Sequence, residues 1–163
     1  MKTFFVALIF SLLCSPLMAK NGLNGTVGLG YPEAANLGLR FELLQAQVGF
    51  HAGLFPQGPN NSYFSAGAVA YYHFAGNSYW VKQKPFYARL GFIYVREKVP
   101  TDTSQNGFLE FRAGRVMNTS KRSGFELDAG FGIKLFEKLE PENSQNISPA
   151  IRPALGLRWF FRF

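Results

Sequence analysis

The chain has 163 residues, about one domain's worth, with 17 Lys and Arg against 10 Asp and Glu and a formal net charge of +7. The positive excess is spread out, without a basic cluster or a binding motif, which excludes nucleic acid as a partner. One cysteine, Cys14, excludes a disulfide framework; no spacing of His, Cys or carboxylates describes a metal site, and no cofactor is expected.

The opening MKTFFVALIFSLLCSPLMAK combines Lys2, an apolar run from Phe4 to Leu13, and the small Ala19 before a polar KNG. This is the layout of a secretory leader over 1–19, and its apolar run is too short for a spanning helix. Leu13 stands before Cys14 where a lipoprotein signal needs a small residue, so lipidation is rejected. Residues 20–163 are expected to form one domain. Its 18 Phe, 7 Tyr and 17 Gly favour strands and disfavour helices.

Period-2 segments separated by turn-formers run the length of that domain. The first, 23–31, sets Val27, Leu29 and Tyr31 against Asn24, Thr26, Gly28 and Gly30, and a PEAA turn follows. The second, 36–44, alternates Leu37, Leu39, Phe41 and Leu43 with Gly38, Arg40 and Glu42. In the third, 46–55, Val48, Phe50 and Leu54 oppose Gln47, Gly49, His51 and Gly53. The fourth, 63–74, is less regular: Phe64, Ala68, Tyr72 and Phe74 share one face, Ser65, Val69, Tyr71 and His73 the other. After a long connection, 75–85, the fifth segment (86–97) sets Phe86, Leu90, Phe92 and Tyr94 against Tyr87, Arg89, Gly91 and Glu97. The sixth, 108–116, opposes Leu109, Phe111 and Ala113 to Glu110, Arg112 and Gly114. The seventh, 125–136, opposes Phe125, Leu127, Phe131, Ile133 and Leu135 to Glu126, Asp128, Gly130, Gly132 and Lys134. The eighth, LGLRWFFRF, ends on Phe163.

Eight strands of this length suit an all-β, antiparallel, up-and-down barrel, either soluble and lipocalin-like or transmembrane. Polarity separates the two. The polar faces carry Arg40, Glu42, Arg89, Glu97, Glu110, Arg112, Glu126, Asp128, Lys134, Arg158 and Arg162, nearly balanced in sign and interleaved with glycine. An eight-stranded interior is just wide enough for side chains, and paired ions with glycines opposite them would fill it. The expectation is an outer-membrane barrel with apolar faces toward lipid and a charged lumen network of Arg40, Glu42, Arg89, Glu110, Arg112, Glu126, Asp128, Lys134, Arg158 and Arg162. Both termini then share the periplasmic side. Outer loops are expected at 56–62, 98–106 and 137–149; the 75–85 connection is long, and PEAA short, for that scheme.

The outward row Leu155, Leu157, Trp159, Phe161, Phe163 resembles the C-terminal signature of bacterial outer-membrane β-barrel proteins. With the leader and the strand pattern, the chain resembles the small OmpA/OmpX-type barrels; GYPEAANLGLRF and YYHF also look like small outer-membrane barrels of Bacteroidota. The resemblance implies outer-membrane lipids as surroundings and recognition of the last strand by the barrel assembly machinery. It implies no activity. A structural or surface-interaction role is therefore expected, with the surface ligand unread in the loops. The enzymatic alternative is a lipid-modifying acyl hydrolase or transferase in which His51 would act with Ser65 and Glu42. His73 is expected as an interfacial side chain at the periplasmic rim, and Asp102, Glu137, Glu140 and Glu142 as solvated loop charges.

Overall fold

Alternation leaves every segment with one apolar and one polar face, and a sheet built of such strands loses its unpaired edges only by closing on itself. The computed structural model describes residues 22–56, 61–141 and 149–163. Its strands are β1 (Leu23–Tyr31), β2 (Ala34–Leu43), β3 (Ala46–Pro56), β4 (Ser62–Ala75), β5 (Phe86–Lys98), β6 (Thr103–Asn118), β7 (Ser123–Glu140) and β8 (Ile151–Arg162). Each pairs antiparallel with its neighbour, and β1 closes onto β8 through pairs such as Gly28↔Arg158, giving an up-and-down barrel. The expected leader and Glu142 lie outside the described residues.

The expected segments are all strands, but β6 and β7 are longer than their period-2 cores, and the expected 98–106 loop shrinks to the turn Val99–Asp102. The polar stretch from Thr103 to Gly107 has a loop's composition, yet it finds a complete ladder partner in the end of β7. Asn106 also donates to Ser104 Oγ at 2.6 Å. Tertiary pairing overrides propensity here.

A bulge between Gly107 and Phe108 leaves Leu135 without a ladder partner on β6, so Phe136 as well as Leu135 faces outward. Elsewhere the expected faces hold. Leu29, Leu37 and Phe50 are 64%, 67% and 60% exposed on the outer wall, while Glu110, Glu126 and Asp128 are at most 2% exposed inside.

Within the barrel, Val69, Tyr71, Tyr87, Val116 and Phe160 pack together toward the end that holds the termini. Ile93, Val95 and Phe108 form a second apolar group toward the other end. Most of the buried charge lies between these two layers. Where a long side chain leans on the opposite strand, the wall must be flat: a β-carbon at Gly28 would sit 2.5 Å from Arg158 Cγ. Gly28→Ala is therefore expected to destabilise the barrel by about 1–3 kcal/mol. Gly25→Ala on the same strand would meet only the Phe163 ring at 3.5 Å and is expected to be tolerated. Urea midpoints of the two variants, measured under the same conditions, compare them directly.

Candidate functional site: a charge knot in the barrel interior

The turn between β1 and β2 is only Pro32–Glu33, with Ala34 at φ 60° starting the next strand. Instead of standing in solvent it folds into the barrel. Tyr63 OH donates to Pro32 O, and Ser65 Oγ donates to Glu33 O at 2.8 Å, so the turn is held by β4, across the intervening β3. Room for it exists because Gly53 lacks a β-carbon, which would overlap Glu33 O.

The Glu33 side chain is 0% exposed and meets three guanidiniums. Its Oε1 accepts from Arg89 Nη2 at 2.7 Å and Arg158 Nη2 at 3.2 Å; its Oε2 accepts from Arg112 Nη2 at 2.7 Å. Asp128 ties the same arginines from the other side, accepting from Arg112 Nη1 at 3.1 Å, Arg158 Nη1 at 2.6 Å and Tyr87 OH at 3.0 Å. Glu110 pairs with Arg112 at 2.6 Å and Glu126 with Arg40 at 2.7 Å. The Arg40 guanidinium also lies 5.0 Å over the Tyr71 ring. Four guanidiniums, from β2, β5, β6 and β8, thus face four carboxyl groups, and all eight residues are at most 4% exposed. Beyond this knot, Arg152 lies 3.2 Å over Phe108.

The mouth beside the chain ends is closed by the long connection 76–85. Gln45 Nε2 donates to Lys82 O at 3.3 Å, and Lys84 N donates to Gln45 Oε1 at 3.1 Å. Asn118 Nδ2 donates to Ser78 Oγ at 3.2 Å, and Arg162 Nη2 reaches Gln83 Oε1 at 3.4 Å. One loop therefore touches the β2–β3 turn, β6 and β8, which places it across the opening. Below it, Glu42 accepts from Arg162 Nε at 2.9 Å and from Asn24 Nδ2 at 2.7 Å.

Of the ten residues expected in the lumen network, Arg40, Arg89, Glu110, Arg112, Glu126, Asp128 and Arg158 form the central knot. Glu42 and Arg162 pair separately at the rim. Lys134 stands apart: paired on the ladder with Phe108, toward the far end from the charged layer, it reaches Glu137 at 2.6 Å. The expected placement of His73 is corrected. It is 1% exposed, on the inner face, with Nδ1 2.7 Å from Lys84 O, because the 76–85 loop covers it. His51 faces inward beside Gly67, with Nε2 buried and without a hydrogen-bond partner among the described residues. Ser65 Oγ is engaged by Glu33 O, and Glu42 lies four ladder steps from the Gly38↔His51 pair, roughly 13 Å along the strand. The three residues do not meet as a triad. Leu155, Leu157, Trp159 and Phe163 are exposed, and Phe161 half-buried, along the outer edge of β8.

Glu33 is the residue that sequence reasoning missed, because PEAA has a turn's composition and period-2 parity stops at a turn. A signal was available in the charge count of the polar faces, which lacked one acid.

A comparison with protein-family models, with curated proteins and with solved structures finds no match.

Removing Glu33 leaves three buried guanidiniums short of an acceptor, and breaking a buried pair costs about 3–5 kcal/mol. Glu33→Gln is expected to lower unfolding stability by that order. Lys138→Gln, at an exposed pair with Glu140, is expected to change it by less than about 1 kcal/mol. Denaturant titration of both variants checks the contrast.

Proposed function

We propose that this chain is an integral outer-membrane β-barrel with a filled, charge-paired lumen, and that its role is structural or surface-interacting rather than enzymatic. One observation carries the reading: the barrel is apolar outside and ionic inside. In water that polarity would expose a continuous wall of Leu, Phe and Trp, whereas in a bilayer the same wall is solvated by acyl chains. A lipocalin-like carrier needs the opposite arrangement, with the apolar faces around its ligand.

Further features support it. Strands of 9 to 18 residues are long enough to cross the hydrocarbon at a tilt. Aromatic side chains mark both ends of the outer wall: Trp159, Phe161 and Phe163 near the termini, Tyr31, Phe55 and Phe136 at the far end. The leader-like start would direct export, and the terminal row Leu155 to Phe163 suits recognition by the assembly machinery. The termini would then lie in the periplasm, and any ligand would be met by the connections after β3, β5 and β7.

Phe131 lies midway along β7, 48% exposed, with its ring 5.7 Å from Phe111. Phe131→Arg is expected to cost about 2–4 kcal/mol in lipid vesicles. A barrel in water would show a change within about 0.5 kcal/mol, as an exposed surface position does. Cell fractionation accompanies this measurement: recovery in the outer membrane is expected, and recovery in the periplasm without detergent would overturn the proposal.

A further inference from the structure

The two ends of the barrel differ in charge. Around the mouth that holds the termini, Lys82, Lys84, Arg115, Lys121 and Arg122 are all exposed, and none forms an ion pair with a described residue. The carboxylate at that rim, Glu42, is half-buried and held by Arg162 at 2.9 Å. At the opposite end, the exposed cations Arg96, Lys98 and Lys138 and the half-buried Lys134 equal in number the carboxylates Glu97, Asp102, Glu137 and Glu140 among the described residues, with Lys134 and Lys138 ion-paired and the buried Arg152 lying over the Phe108 ring. Among the described side chains that reach the surface, one rim is therefore balanced in number and the other carries five cations against no exposed carboxylate.

Those five cations sit on ordered backbone. The 76–85 loop that presents Lys82 and Lys84 is fastened to Gln45, Asn118 and Arg162. Arg115 stands 5.2 Å over the Phe86 ring on the outer wall, and the turn of Lys121 and Arg122 is closed by Ser120 and Ser123. Among them project Leu44 (92% exposed) and Tyr79 (91% exposed), the latter edge-on to Trp80 at 5.0 Å. The cations come from three separate segments, the 76–85 loop across the mouth, β6 and the β6–β7 turn, and share no described partner. That distribution fits a plane of negative charge better than a single small anion. The apolar and aromatic groups between them suit the headgroup level of a bilayer, where Trp and Tyr concentrate.

Building on the membrane reading, we propose that the rim at the chain ends is a docking surface for anionic phospholipid headgroups, whose phosphate oxygens accept hydrogen bonds from Lys82, Lys84, Arg115, Lys121 and Arg122. A zwitterionic headgroup carries its own cation and gains little there. A net anionic one gains about fivefold in affinity for each cation it meets near the surface. The matched opposite rim has no such preference.

The test uses the full chain reconstituted into phosphatidylcholine vesicles containing a brominated lipid, either phosphatidylglycerol or phosphatidylcholine, with tryptophan quenching as the readout. Trp80 and Trp159 both lie toward the basic rim. Phosphatidylglycerol is expected to be preferred about fivefold at low salt, with the preference vanishing near 0.5 M salt, roughly where screening becomes complete over a few ångströms. Lys82→Gln/Lys84→Gln/Lys121→Gln/Arg122→Gln should reduce it to less than about twofold, whereas Arg96→Gln/Lys98→Gln at the far rim should leave it intact. No preference in the unaltered chain, its survival in the quadruple variant, or its loss in the far-rim control would overturn the proposal. Competition by inorganic phosphate at constant ionic strength would also overturn it, by pointing to a soluble-anion site. Flotation with the vesicles separates the two levels: a chain that does not float refutes the membrane reading itself, and one that floats without lipid preference refutes only the docking surface.

Discussion

The fold depends on one carboxylate in one turn. Glu33 is carried by the shortest connection at its end of the barrel, yet it reaches arginines from β5, β6 and β8. Isolated guanidiniums in a narrow interior would lose their water without replacement, at a cost of several kcal/mol per ion. Four arginines meet in this knot because four strands place them there by parity. The carboxyl groups of Glu110, Glu126 and Asp128 do not suffice for them. Glu33 completes the set, and in doing so it draws the β1–β2 turn inward and fills the space that a plain hairpin would leave open.

The departures from a regular barrel are connected through this requirement. A turn too short to form an outer loop is short because it is an interior element. A connection too long for a simple turn, 76–85, is long because it must cross the opposite mouth to Gln45, Asn118 and Arg162. Between the two closures lie an apolar layer, the charged layer and a second apolar layer. The result is a plugged cylinder whose interior is committed to its own packing, which leaves the outer wall and the two rims as the surfaces able to meet anything else.

Most of the fold was legible because strand periodicity survives in a barrel wall. Parity alone placed Arg40, Arg89, Glu110, Arg112, Glu126, Asp128 and Arg158 on the inner face. What parity could not reach were positions governed by non-local contacts. The polar start of β6 is a strand only because β7 extends far enough to pair with it. His73 shares the inward parity of Tyr71, but it is buried and not interfacial because the 76–85 loop covers it. Lys134 falls outside the network because it stands level with the apolar group of Phe108, toward the far end from the charged layer. Glu33, in a stretch with no period at all, needed the β4 hydroxyls and the gap at Gly53 to reveal its direction.

A double-mutant cycle between Glu33→Gln and Arg89→Met, read by reversible unfolding in a single lipid or detergent, tests most directly whether this carboxylate organises the interior. The ion pair at 2.7 Å requires that the two substitutions be strongly non-additive, with a coupling of about 1–3 kcal/mol. Additivity to within about 0.5 kcal/mol would mean that the two groups act independently, and would contradict the account of the barrel as built around Glu33.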